Sequence, residues 1–147
     1  DTSVKWRYFR SLLEPGSDPD AERLYRWHIA QRSGARMVAG LATDGWKRSV
    51  EDYVDSAQAL LVSMQSYGYF PTHAIPIDRD GELLGGAHRL AAALALGLAT
   101  VPVVKAEHQV WAPAWDEAWF VANGMAAEDL ERVRRDYARL IEKSVTA

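Results

Sequence analysis

The stretch GGAHR at residues 85–89 combines residue types that bind anions, and an alanine-rich run follows it. Glycine permits backbone conformations with positive φ and lets a ligand come close to the chain. The first N–H groups of a helix have no intrahelical partner and lie at the positive end of the helix dipole. The sequence therefore predicts that Gly85, Gly86 and Ala87 form a turn into a helix whose free N–H groups bind a phosphate.

Two side chains extend this predicted phosphate turn. The guanidinium of Arg89 can offer two parallel N–H donors to an anion, and the imidazole of His88 can offer another. The letters do not match a Walker A loop, which ends in Lys-Ser or Lys-Thr, or the GxGxxG pattern of dinucleotide sites. A tight structural turn with a solvated Arg89 explains the same letters, so the local sequence leaves both interpretations open.

Short apolar runs on both sides of the turn predict a small sheet. Residues 73–77 and 100–104 are typical of strands, and residues 82–84 follow a DRDG turn as a returning strand. Proline inside the first and last run favours an edge strand or an irregular ladder. Because helix signals alternate with these runs, we predict an α/β (α+β) fold class with a small mixed sheet and packed helices.

Helix signals precede this sheet. Residues 20–33 predict a helix that ends at Gly34, and residues 35–48 predict a loop. Ser49 is the predicted N-cap of a second helix, and Gly68 is its predicted end.

Two more helices are predicted at residues 113–122 and 126–143. The arginines of the last helix alternate with acids, so we interpret them as a solvated face with a Glu131–Arg135 pair rather than a nucleic-acid patch. The apolar stripe of this helix is predicted to comprise Leu130, Val133, Tyr137, Leu140 and Ile141.

The composition limits the classes of function. The chain has 147 residues, a net charge of -3, four histidines and no cysteine. Basic residues do not outnumber acidic ones, so the composition does not favour a nucleic-acid partner. We predict no metal site held by protein side chains alone, because cysteine and an HxxxH pattern are both missing. No run of about 18 apolar residues and no signal-peptide pattern is present, so we expect a cytoplasmic protein without a membrane partner.

The order of motifs between Ser63 and Val104 resembles the ParB/sulfiredoxin-like superfamily. The superfamily pattern is a helix ending in S-I-x-x-x-G, a strand with proline, a D-G turn, G-x-x-R-x-x-A-A, L-G and a closing V-P-V strand. The corresponding residues here are Ser63-Met64 with Gly68, Ile75-Pro76-Ile77, Asp80-Gly81, Gly86 to Arg89 with Ala92-Ala93, Leu96-Gly97 and Val101-Pro102-Val103. The resemblance implies one domain, 1–147, with a core at about 49–105 and helical extensions at 1–48 and 106–147.

The resemblance also implies that the Gly86–x–x–Arg89 turn cradles the phosphates of a nucleotide (ATP, ADP or CTP). Sulfiredoxins have a cysteine where this chain has Ala87, so sulfinic acid reductase chemistry is excluded. The partition-protein branch has an acid and two arginines after the glycine, of which only Arg89 remains. A third branch resembles a small-molecule kinase, which needs neither the cysteine nor a DNA-binding segment.

The kinase-like branch implies a catalytic acid ahead of the helix that precedes the first strand, and Mg²⁺ bound with the nucleotide. Asp44, Glu51 and Asp52 are the candidates for the general base, and Lys47 and Arg48 are candidate phosphate contacts. Because acids at a helix start and in a turn are common for structural reasons, each has a purely structural interpretation as well.

His28, in the sequence WHI, is the remaining candidate, as a substrate-binding residue; a packed, hydrogen-bonded core histidine is the alternative. Together these features predict a kinase that transfers a phosphoryl group to a small hydroxylated metabolite. The alternatives are a non-catalytic CTP- or ATP-binding switch that acts on a protein or DNA partner, and a nuclease of the same superfamily.

Overall fold

The computed structural model describes residues 1–39, 45–107 and 115–145, and within them the chain is a helix-dominated mixed fold. The regular structure of this part is a two-stranded parallel sheet, six α-helices and a short 3₁₀ helix at Pro71–His73, so the strand predicted at residues 73–77 begins only at Ile75. The elements are α1 (Thr2–Leu13), α2 (Ala21–Val38), α3 (Val50–Tyr67), β1 (Ile75–Ile77), α4 (Ala87–Ala95), β2 (Val103–Lys105), α5 (Glu117–Ala122) and α6 (Ala127–Val145).

The sheet is smaller than the sequence predicts. Strand β1 pairs in parallel with β2, with Ile75 opposite Val103. The predicted strand at residues 82–84 is reduced to one antiparallel bridge between Ile77 and Leu83. Pro76 accepts a hydrogen bond from the Leu84 N–H (3.0 Å) but has no N–H to return, so the ladder does not extend.

Helix α3 begins and ends as predicted, because its termini carry the expected caps. The hydroxyl of Ser49 accepts from the Asp52 N–H, while the Asp52 carboxylate accepts from the Ser49 N–H, which forms a capping box. Gly68 ends the helix with φ 73°.

Helix α2 runs through Gly34 to Val38, so the predicted end at Gly34 and the predicted loop over residues 35–38 are wrong. A glycine inside a helix costs only about 1 kcal/mol relative to alanine. Met37, in the extra turn, packs against the main core, and such packing can outweigh a local propensity. The part of the predicted loop at residues 40–44 lies outside the described residues.

The core is centred on α1 and α4, the most extensive helix pairing in the described structure. Ala91, Ala92 and Ala93 on α4 are fully buried, and their small side chains let the two helices approach closely. Tyr8 of α1 stacks on Tyr25 of α2 with ring centroids 4.3 Å apart. The segment that carries the predicted phosphate turn is therefore held from behind by the N-terminal helices.

A second cluster joins the C-terminal helices to α1 and α2. Its buried members are Val4, Leu24, Phe120, Leu130 and Val133.

Two residues of the predicted apolar stripe of α6 do not pack inward: Tyr137 is 60% exposed and Ile141 is 46% exposed. The inward face instead carries Asp129 and Asp136, which are buried and bind Arg23 (2.8 Å) and Arg7 (2.8 Å). Buried carboxylates require such partners, so these ion pairs decide which face of α6 packs inward.

The arginines of α6 bind acids, as the solvated-face interpretation predicts. Arg134 binds Glu117 (2.5 Å) and Arg132 binds Asp20 (2.9 Å). Glu131 contacts Arg134 at 3.6 Å, whereas the sequence prediction paired it with Arg135. No helix in the described part of the chain has the length and apolar character needed to cross a membrane.

Candidate functional site

A cavity of about 600 Å³ opens at the predicted phosphate turn, and we call it the basic cavity. Six of the seven predicted phosphate contacts line it: Gly85, Gly86, Ala87, His88, Arg89 and Lys47; the seventh, Arg48, does not. The structure adds three basic residues that the sequence analysis did not select, Lys5 of α1 and Arg32 and Arg36 of α2. Four separate segments of the chain therefore direct positive charge into one space.

The backbone at the turn has the conformation that the glycine pair predicts. Gly86 is the N-cap of α4 in the left-handed region (φ 75°, ψ 16°), where other residues are strained. The N–H groups of the first turn of α4 face away from the helix and toward its N-terminal end. Because that end borders the cavity, an anion there meets free donors and the helix dipole.

Arg89 lines the cavity but is also bonded to the backbone ahead of β1. Its Nη1 donates to the carbonyl of His73 and to that of Ala74 (3.2 Å). The guanidinium also covers Gly86, where an added Cβ would lie 2.9 Å from Nη2. In this arrangement Arg89 fastens the turn to the sheet, and the two-pronged contact with a phosphate stays a prediction.

His88 is a half-buried, neutral side chain at the cavity wall. Its Nε2 lies 2.9 Å from the hydroxyl of Tyr25, and its ring meets that of Tyr25 edge-on. Burial lowers the pKa of His88 well below its ordinary value, and the charges of Lys5, Arg32 and Lys47 lower it further. A neutral imidazole carries one N–H, so His88 is a weaker phosphate ligand than a cationic histidine.

Arg32 and Lys47 lie against aromatic rings, and Lys5 contacts an acid. Arg32 lies 5.1 Å from the ring centroid of Tyr53 and 5.3 Å from that of Trp115, and Lys47 Nζ lies 4.7 Å from the Tyr53 ring. These are cation–π distances. Lys5 is fully buried and forms an ion pair with the carboxylate of Asp1.

The described candidates for the catalytic base lie elsewhere. Glu51 is exposed and binds Arg26 (2.7 Å), a hydrogen bond that lowers the pKa of Glu51. Asp52 closes the capping box, and the Arg48 N–H (2.7 Å) is the main cause of its lowered pKa. Neither lines the basic cavity. Asp44 lies outside the described residues.

Comparisons with protein-family models, with curated proteins and with solved structures found no match.

His28 is not brought to the basic cavity. It is fully buried, and neither ring nitrogen has a hydrogen-bond partner in the described structure. Its ring packs edge-on against Trp119 and lies 5.9 Å from that of Phe120. Burial holds the pKa of His28 well below its ordinary value. This environment agrees with the packing of the core histidine that the sequence left as the alternative, but not with the hydrogen bonding expected of it.

The three additional basic residues had only weak signals in the sequence. Arg32 and Arg36 are four residues apart on α2 and so share one helix face, which is a detectable pattern. Lys5 lies in an aromatic segment that contains other basic residues, and nothing local distinguishes it. Its position in the cavity depends on the docking of α1 against α4, which is a long-range contact.

Proposed function

We propose that this protein binds a nucleotide through its phosphates in the basic cavity. One observation carries the proposal: the glycine turn at the start of α4 and five basic side chains line the same cavity, and its described lining includes no carboxylate. Phosphates are bound by helix N-termini, by the two-pronged guanidinium of arginine and by the point charge of lysine.

The dimensions of the cavity support the proposal. Its volume of about 600 Å³ lies within the range of about 300–1,000 Å³ that small-molecule sites occupy. Leu60 and Leu84 add apolar surface beside the charged groups, so the lining suits a ligand with both an ionic and an apolar part. The resemblance to the ParB/sulfiredoxin-like superfamily supports the same ligand class, since it concerns the same turn.

Phosphoryl transfer to a small metabolite adds one requirement to this proposal. The acceptor hydroxyl would attack the terminal phosphorus as the bond to the bridging oxygen breaks, and a base would take the hydroxyl proton. Glu51 forms an ion pair with Arg26, and Asp52 caps α3. Asp44 therefore remains as the base to be tested. An Asp44→Asn variant that keeps nucleotide affinity but loses transfer to a metabolite panel supports the kinase hypothesis.

A non-catalytic nucleotide switch is the second candidate function. The observation that favours it is that the described cavity wall offers cations but no carboxylate to accept a proton. The nuclease alternative has less support, because the described residues include no cluster of three or more acids or histidines suited to a metal. Nucleotide binding without turnover in the presence of the metabolite panel distinguishes the switch from the kinase.

Isothermal titration with ATP, ADP and CTP tests the binding proposal. Arg36→Gln removes a charge from the cavity wall, while Arg135→Gln removes an exposed charge from α6 and serves as the matched control. Loss of one charged hydrogen bond costs about 1.5–3 kcal/mol, or about 10- to 100-fold in affinity. The proposal fails if none of the three nucleotides binds, or if both variants bind them like the wild type.

A further inference from the structure

The resemblance implies a nucleotide that binds with Mg²⁺, and the described cavity does not fit that ion. Magnesium takes six oxygen ligands and is usually held by one or two carboxylates together with substrate phosphates. Lysine and arginine nitrogens cannot bind it, and the oxygen side chains in the described lining are Ser33, Tyr53 and Ser56. No cluster of metal-ligating side chains is found in the described residues.

Resting on the proposed function, we infer that the basic cavity binds the polyphosphate part of its ligand with protein cations in place of a divalent metal ion. The recognised group is a chain of two or three phosphates, carried by a nucleotide or by inorganic polyphosphate. Affinity is then expected to rise with the number of phosphates and not to require Mg²⁺.

The spacing of the cations supports this inference. Arg32 and Lys47 both lie within 5.1 Å of the centroid of the same Tyr53 ring, so the two like charges are no more than about 10 Å apart. Like charges so placed repel one another, more strongly beside protein than in bulk water. A ligand with several negative charges removes that repulsion, whereas an incoming divalent cation adds to it.

Lys5 gives the cavity an interior charge. Its side chain is fully buried, yet it lines the cavity, and its described carboxylate partner is Asp1. Burying an ammonium group is costly unless an anion is close by. A phosphate at the inner end of the cavity would bring a further anion to the same ammonium group. Lys5 would thus bind the innermost phosphate.

Titrations in EDTA and in MgCl₂ test the inference, with ATP, ADP, inorganic tripolyphosphate and orthophosphate as ligands. We expect ATP to bind in EDTA at least as tightly as in MgCl₂. We expect tripolyphosphate to bind about tenfold or more tightly than orthophosphate, a difference of about 1.4 kcal/mol. ATP binding that appears only with Mg²⁺ overturns the inference but leaves the proposed function intact. No binding of ATP, ADP or tripolyphosphate in either buffer overturns both.

The inorganic ligands also identify the source of the phosphates. If tripolyphosphate binds as tightly as ATP, the cavity contacts only the phosphates of its ligand. If ATP binds more tightly, the nucleoside adds contacts. Both results support binding by protein cations, provided that EDTA does not abolish binding.

Lys47→Gln and Lys5→Met test the named residues, and Lys105→Gln on the exposed strand β2 is the control. We expect the first two variants to weaken tripolyphosphate binding in EDTA about tenfold or more, since each removes a charged contact. Lys105→Gln should bind like the wild type. If Lys5→Met does not fold, Lys47→Gln decides the question, and wild-type affinity of Lys47→Gln in EDTA refutes the inference.

Discussion

Replacing Gly86 with alanine tests how the predicted phosphate turn is built. The left-handed backbone at Gly86 (φ 75°) costs a residue with a Cβ about 1–2 kcal/mol. The new Cβ would also lie 2.9 Å from Nη2 of Arg89, so the guanidinium must move away. That movement loosens the hydrogen bonds to the carbonyls of His73 and Ala74, and losing one charged bond costs about 1.5–3 kcal/mol. We expect Gly86→Ala to lower the free energy of unfolding by about 2.5–5 kcal/mol in total.

Gly97 at the other end of α4 provides the matched control. It has a nearly equal φ of 72°, but a Cβ added there meets nothing within 4 Å. Gly97→Ala should therefore cost only the backbone strain of about 1–2 kcal/mol. Urea unfolding followed by circular dichroism measures both values.

An Arg89→Ala background completes the comparison. Without the guanidinium, Gly86→Ala and Gly97→Ala should cost the same within about 0.5 kcal/mol. The reasoning is refuted if Gly86→Ala costs no more than Gly97→Ala in the wild type, or if the difference persists in the Arg89→Ala background.

Three further variants test other parts of the structure. Ser49→Ala removes the hydroxyl of the capping box and should destabilise the protein by about 0.5–2 kcal/mol in urea unfolding; an unchanged midpoint contradicts the cap. Phe120→Ala should cost about 3–5 kcal/mol because the ring is buried, whereas Val121→Ala, at an exposed neighbour, should stay within about 0.5 kcal/mol. The pKa of His28 is lower in the folded protein than in the unfolded chain, so on acidification the imidazole gains a proton in the unfolded chain before it does so in the folded protein. The free energy of unfolding therefore falls as the pH drops below about 6.5, by about 1.4 kcal/mol per pH unit. His28→Leu should reduce that slope in unfolding measured between pH 5 and about pH 7.5, and an unaltered slope contradicts the assignment.

Local signals in the sequence predicted the helix ends that depend on local chemistry. Ser49 and Gly68 were identifiable because a hydroxyl at an N-cap and a glycine at a C-terminus act on the adjacent backbone. The turn at Gly86 was identifiable for the same reason. The end of α2 was not, because Met37 gains packing against a distant core that no window around Gly34 contains.

The same distinction between local chemistry and long-range packing applies to the candidate site. The glycine turn and Lys47 were predicted and do border one cavity. Lys5 and Arg36 could not be assigned to it, since their positions follow from how α1 and α2 dock. The inward face of α6 was misjudged because ion pairs to Arg7 and Arg23 bury Asp136 and Asp129, whereas a hydrophobic pattern expects carboxylates outside.

The close packing of α1 on α4 has a consequence for synthesis on the ribosome. About 75 residues separate the end of α1 at Leu13 from the start of α4 at Ala87. At about 5–20 residues per second, α1 emerges roughly 4–15 s before its principal partner is made. During that interval the aromatic face of α1 has no alanine surface to cover it. Synonymous codons that slow translation between the two helices should therefore raise the fraction of nascent chains that chaperones capture or that aggregate.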